Sequence, residues 1–161
     1  GFYWFRPEEQ RGIITVPSPK DPAAEVSVKI RRRSTRIEPV LQGGTPAFRV
    51  KVRGEGDLAE QQSPVDLTKP ETIKTLEESV DQEIARRIQM ALDVAQKQHG
   101  ADIFGFGKKL HIRAPGLWKE IKKDWDERFR EAEISIEVDF KLRQFGMSSK
   151  PLPFPEEELK I

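Results

Sequence analysis

Residues 68–100 read TKPETIKTLEESVDQEIARRIQMALDVAQKQHG, and this stretch decides the class of fold. Apolar side chains recur at Ile73, Leu76, Val80, Ile84, Ile88, Ala91 and Ala95, in steps of three and four that place them along one face of a helix. Thr68 and Glu71 have the spacing of a capping box, and Pro70 falls in the first turn, where a missing N–H is no loss. Glu83 with Arg87, and Asp93 with Lys97, are supporting pairs four residues apart. The pattern predicts a helix running to about Gly100, roughly 45 Å long at 1.5 Å per residue.

On both sides of this helix the period changes to two. Upstream, Val26, Val28 and Ile30 alternate with Ser27, Lys29 and Arg31, and Phe48, Val50 and Val52 alternate with Arg49, Lys51 and Arg53. The Gln42-Gly43-Gly44 stretch between them predicts a hairpin turn. Downstream, Ile134, Ile136, Val138, Phe140 and Leu142 alternate with Ser135, Glu137, Asp139, Lys141 and Arg143. Such alternation means strands with one buried and one wet face. Ahead of them come an aromatic opening, a polar turn at residues 7–10, a short strand over 12–16 and a Pro-rich loop at 17–22.

Between the long helix and the last strand, Asp102 is placed to cap a second, shorter helix through Arg113, in which Gly105 and Gly107 are each unfavourable by roughly 1 kcal/mol. Pro115 opens a third helix with Trp118, Ile121, Trp125 and Phe129 on one stripe. The order is β-β-β-α-α-α-β. Segregated strands and helices predict an α+β fold, an antiparallel β-sheet with three helices packed on one face. Residues 1–16 read as the end of a preceding domain or a first strand, 17–146 as the α+β domain, and 147–161 as an irregular Pro-rich C-terminal tail.

Composition narrows the function classes. Of 161 residues 34% are charged, yet the net charge is +1, so nothing global draws the chain to nucleic acid or anionic lipid. No apolar run approaches a transmembrane span. The absence of Cys removes disulfides, thiolate catalysis and Cys-based zinc sites. The opening GFYWFRPEEQ starts in mid-pattern, without a Met, which predicts a piece of a longer protein.

Catalytic and cofactor chemistry finds little to stand on. His99 and His111 lie on different predicted helices with no metal-ligand motif around them. Gly105-Phe106-Gly107 lacks the third glycine and the preceding strand of a nucleotide-binding turn, and reads instead as a close approach of helices. Asp124, Glu127 and Glu131 form a solvated helix face with no partner nucleophile or base. Trp118 and Trp125 could stack on a sugar, but their helical spacing makes them core residues first. The expectation is no enzyme, no cofactor and no metal.

One surface feature stands out. Lys29, Arg31, Arg49, Lys51 and Arg53, near the Arg31-Arg32-Arg33 run and Arg36, should project from one side of two neighbouring strands. A solvated face balanced by Glu137 and Asp139 is the plainest reading, and a partner-facing surface is the functional one. RNA binding is the alternative, although RNA-binding sheets interleave exposed aromatics, whereas Phe48 alternates inward.

Residues 76–146 resemble the C-terminal domain of the Ger(x)C family of spore germination lipoproteins. The resemblance is carried by LEESVDQEIARRIQMALDVAQKQHGADIFGFGKKLH, PGLWKEIKKDWDERF and AEISIEVDFKLRQFG in that order. Within them stand Gln96, the run from Ala101 to Gly107, the Trp118/Trp125 pair and the closing Gly146. Upstream, Arg11-Gly12 and Glu55-Gly56-Asp57-Leu58 extend it over nearly the whole chain. The Arg31–Arg33 run and the Pro-rich tail depart from the pattern. The resemblance implies a non-catalytic lipoprotein subunit of a spore nutrient-germinant receptor, with this domain serving receptor assembly or signalling. It further implies integral membrane subunits of the receptor as partners, no nucleic acid, and attachment to the outer face of the inner spore membrane. The resemblance also implies that this attachment is made through an N-terminal lipid outside the 161 residues.

Overall fold

The structure is a computed structural model that describes residues 2–5, 12–42, 45–61, 66 and 68–143. A four-stranded sheet is ordered β1-β2-β3-β4, with β1 at Gly12–Pro17, β2 at Glu25–Gln42, β3 at Thr45–Gln61 and β4 at Glu133–Leu142. The helical crossover comprises α1 (Pro70–Asp93), a π-helical extension (Val94–His99), α2 (Phe106–Arg113), α3 (Pro115–Ile121) and α4 (Trp125–Glu131). A 3-10 turn at Phe2–Phe5 precedes β1.

The α+β class is as the alternation predicts, but the expected all-antiparallel sheet is mixed. β1, β2 and β3 pair antiparallel, whereas β4 pairs parallel with β3, Val50 opposite Ile136 and Val52 opposite Val138. Period-two patterning reports which face a residue occupies and is blind to strand direction. The long helical crossover between β3 and β4 is what allows a parallel return. The Gly43-Gly44 turn, the polar turn at 7–10 and the 147–161 tail lie outside the described residues. The flanks of the hairpin do pair, Gln42 opposite Thr45.

α1 crosses one face of the sheet. Leu76, Val80, Ile84, Ile88 and Leu92 are fully buried against Val26, Val28, Ile30, Phe48, Val50, Val52 and Phe140, each burial contributing roughly 1.5–3 kcal/mol. The expected Thr68/Glu71 capping box does not form. The Thr68 hydroxyl donates to Asp66 Oδ1 instead, and Lys69 holds the N-cap position in extended backbone without a side-chain cap. A local Asp two residues upstream competes for the threonine and wins it.

Beyond α1 the packing is aromatic. Phe106 meets Phe48 edge-on at 5.0 Å and Phe129 at 5.6 Å, and Trp125 lies 6.0 Å from Phe48. The predicted third helix is interrupted by a 3-10 turn at Lys122–Asp124, yet Ile121, Trp125 and Phe129 remain buried together. Asp102 organises this corner. Its carboxylate accepts from the N–H groups of Gly105 and Phe106, both at 2.9 Å, from that of Gly107 at 2.7 Å, and from Trp125 Nε1–H at 3.1 Å. A Cβ on Gly107 would stand 2.8 Å from both Trp118 and Trp125, which is why the helix tolerates a glycine there.

Candidate functional site

The face of the sheet that the helices leave uncovered carries the predicted partner-facing residues. In β3 the register alternates cleanly: Phe48, Val50 and Val52 are buried, and Arg49, Lys51 and Arg53 point the other way. β2 is less regular. A shift in pairing between Ile30 and Arg32 inserts Arg31 as an extra residue, the signature of a β-bulge. Before the bulge the odd-numbered Lys29 shares the open face with Asp57. After it the even-numbered Arg32, Ser34, Arg36 and Glu38 do so, opposite Glu55, Arg53, Lys51 and Arg49. The bulge thus turns Arg33, Thr35 and Ile37 toward the helical side. All five predicted residues, Lys29, Arg31, Arg49, Lys51 and Arg53, do share one face.

That face is a lattice of mixed charge. Running from β2 through β3 to β4, the rows are Glu38–Arg49–Ser135, Arg36–Lys51–Glu137, Ser34–Arg53–Asp139 and Arg32–Glu55–Lys141. Arg49 pairs diagonally with Glu137 at 3.0 Å, and Lys51 with Glu38 at 3.1 Å. Arg31 pairs with Asp57, and Lys141 with Asp139 at 3.0 Å. Hydrogen bonding to Asp139 holds the Lys141 ammonium above its ordinary value. Among the described residues no carboxylate lies within ion-pair distance of Arg36 or Arg53. These guanidiniums line a shallow depression of about 150 Å³ with Ser34, Glu38 and Lys51. Lys29 on the same face likewise has no ion pair among the described residues, and of these three Arg36 is the one whose place on the face depends on the bulge. Sequence reasoning places Arg36 only beside the Arg31–Arg33 run, because the bulge changes its parity.

Other predicted features are placed as follows. His99 is exposed in the last turn of the π-helical extension, and exposed His111 stacks on Trp118 with ring centroids 5.9 Å apart. Asp124, Glu127 and Glu131 are exposed. Among the described residues no group of His, Cys, Asp or Glu is arranged to hold a metal ion, and no aromatic side chain stands on the open sheet face.

Gln96 is a residue whose role the periodicity misses. Buried at the turn into the crossover, it donates through Nε2 to the carbonyls of Phe129 and Ala132, at 2.8 and 3.0 Å, tying α4 to the end of the long helix. Gly54 and Gly56 are another. A Cβ on either would stand under 3 Å from the Phe140 ring, and at Gly56 also 2.5 Å from the Lys29 carbonyl oxygen. The glycines let β4 lay its phenylalanine flat on β3.

The fold and its aromatic corner define an α+β domain of the kind seen in the crystal structure of the GerBC protein. That structure superposes with a TM-score of 0.78 at 24% identity, covering 89% of this chain and 44% of GerBC. The chain belongs to the spore germination B3/GerAC-like C-terminal family, which matches residues 1–146. In Bacillus subtilis (strain 168) it is similar to spore germination protein YndF, 28% identical over 146 residues, and to spore germination protein B3, 26% identical over 148 residues. Each alignment covers 91% of this chain, but only 36% of YndF and 39% of B3. The chain therefore spans well under half the length of the curated relatives it matches.

Proposed function

We propose that this domain is a non-catalytic interaction module in a lipid-anchored subunit of a nutrient-germinant receptor, and that its open sheet face docks on a membrane subunit of that receptor. The observation that carries this reading is an ordered, charged face left uncovered by the domain's own helices, in a chain that matches the spore germination family over residues 1–146. Lys29, Arg31, Arg49, Lys51 and Arg53 are its partner-facing residues, with Arg36 added. Pairing with neighbouring carboxylates holds Arg31, Arg49 and Lys51 in place, and a charged surface of this kind steers and orients an encounter more than it adds affinity. The attachment to the outer face of the inner spore membrane, through a lipid outside these residues, belongs to the same reading. In the described residues no helix is long and apolar enough to cross a membrane.

The test is charge reversal in the full-length protein. Spores carrying Arg49→Glu, Lys51→Glu and Arg53→Glu together should germinate slowly in nutrient and recover less membrane subunit on co-purification, at unchanged levels of the protein. Normal germination and normal co-purification would place the contact elsewhere. RNA binding is the competing outcome, and a salt-dependent gel shift with single-stranded RNA, abolished by the same triple variant, would favour it.

A further inference from the structure

The two outer edges of the sheet are treated differently. At β4, carboxylates on α1 reach over and cap the strand: Asp81 Oδ1 accepts the Phe140 N–H at 2.8 Å, and Glu77 Oε1 accepts the Leu142 N–H at 2.9 Å. At the opposite edge β1 pairs with Glu25–Ile30 only, while β2 runs on to Gln42. Among the described residues no strand pairs with that side of β2 beyond Ile30.

Pro39 identifies which main-chain groups face the open side. It sits opposite Phe48 in the β2–β3 ladder and has no N–H to give, so its position is one that points away from β3. With a period of two, Thr35 and Ile37 also direct their N–H and C=O groups to the open edge. Their side chains line a cleft of about 390 Å³ walled by Trp4, Phe5 and Phe104, with Lys109 at its rim. Ser34, which belongs to the other face of the sheet, lines the same cleft. The cleft therefore opens across the strand edge and is not confined to one face.

The cleft is built from held parts. Phe5 stacks on Phe104 with centroids 4.0 Å apart. The Thr35 hydroxyl donates to the Trp4 carbonyl at 2.6 Å, and Arg33 donates to the same oxygen at 3.2 Å while lying 4.1 Å from the centroid of the Tyr3 ring. Among the described residues the charge bordering this edge is positive: Lys109 lines the cleft, and Arg36 stands beside it on the open face with no carboxylate within ion-pair distance. The nearest carboxylates on β2 and β3, Glu38 and Glu55, stand on the open face, where they pair with Lys51 and Arg32.

We propose that this edge binds an extended acidic segment of a partner polypeptide by strand addition. The segment bonds the main chain of Thr35 and Ile37, and one of its apolar side chains enters the cleft between Trp4, Phe5 and Phe104. Main-chain pairing supplies register, the cleft selects the apolar residue, and Arg36 and Lys109 select flanking Asp or Glu. Pro39 at one end and the Arg31 bulge at the other confine the addition to the stretch from Arg32 to Glu38. This rests on the reading of the domain as an interaction module, but it names a surface separate from the Arg49–Lys51–Arg53 face.

The test pans a random heptapeptide display library on the 161-residue chain. Peptides carrying an apolar residue between Asp or Glu should be enriched, and adding them should slow amide hydrogen exchange at Thr35 and Ile37. Ile37→Pro removes an edge donor without touching the β2–β3 ladder and should weaken binding at least tenfold. The exposed Lys109→Glu should weaken it several-fold if Ile37→Pro fails to fold. Arg49→Glu, Lys51→Glu and Arg53→Glu together should leave peptide binding unchanged, so this edge and the open face can fail independently. Several results would overturn the proposal. They are an absence of enriched peptides, binding that survives both Ile37→Pro and Lys109→Glu, saturable uptake of free amino acids in place of peptides, or Thr35 and Ile37 amides already protected in the unliganded chain.

Discussion

The two faces of this sheet are made by the same strands, residue for residue, and follow opposite rules. On the packed face Val26, Val28, Val50 and Phe140 are wholly buried beneath α1, and removal of any large side chain leaves a hole the surroundings cannot fill. On the open face the charges of Arg49, Lys51, Glu38 and Glu137 stay in contact with water, where each pair contributes at most about 1 kcal/mol. Stability belongs to one face, and the freedom to change, hence to specify a partner, belongs to the other.

The sharpest way to break this contrast is at Trp125. Its ring is buried between Phe48, Phe129 and Trp118, and its Nε1–H is bonded to Asp102, so Trp125→Ala should cost about 3–5 kcal/mol in urea unfolding. A variant of wild-type stability would mean that the aromatic corner is not part of the core.

A smaller loss is expected at Gln96. Gln96→Met keeps much of the volume but strips the Phe129 and Ala132 carbonyls of their donor, an effect of about 1–3 kcal/mol for buried groups left unpaired. If the midpoint of denaturation does not move, the tie between the long helix and α4 is dispensable.

Asp81 tests the boundary between the faces through pH. Burial pushes its carboxyl up to about 6, against the hydrogen bond from the Phe140 N–H and the attraction of Lys141. The folded chain therefore holds this proton more tightly than the unfolded chain does. The contribution of Asp81 is fully present below about pH 4 and is lost as pH rises through about 6. Asp81→Asn should flatten the change in stability between pH 4.5 and 7.5, because the amide oxygen can still accept the N–H without a charge to desolvate. Glu83 does not confuse this window. Hydrogen bonds from Arg86 and Arg87 hold its carboxyl down at about 2, so its share is lost only as pH falls from about 4.5 toward 2. An unchanged slope in the Asn variant would assign the pH dependence to other groups.

The smallest effect belongs to the open face. Arg49→Gln, Lys51→Gln and Arg53→Gln together should move stability by no more than about 1 kcal/mol, measured by the same urea unfolding. A loss of several kcal/mol would show that the ion-pair lattice holds the sheet together and would remove the distinction between the faces.

The sequence by itself determined the α+β class and the identity of the helix-facing residues from Ile73 to Ala95. It also determined the split of β3 into buried Phe48, Val50 and Val52 and open-face Arg49, Lys51 and Arg53. These follow from periodicity, which records the face a side chain occupies and little else. The resemblance carried by residues 76–146 pointed to the family, and the match over 1–146 shows it. The parallel pairing of β4 was not legible, because alternation is the same in either direction. Nor was the place of Arg36 on the open face, because a single inserted residue at Arg31 reverses the parity of everything after it. The competition of Asp66 for Thr68, the double bond from Gln96 and the carboxylate caps on the β4 edge depend on groups brought together from distant positions or displaced by a neighbour. Tertiary structure alone decides such contacts, since their energies exist only once the chain has closed.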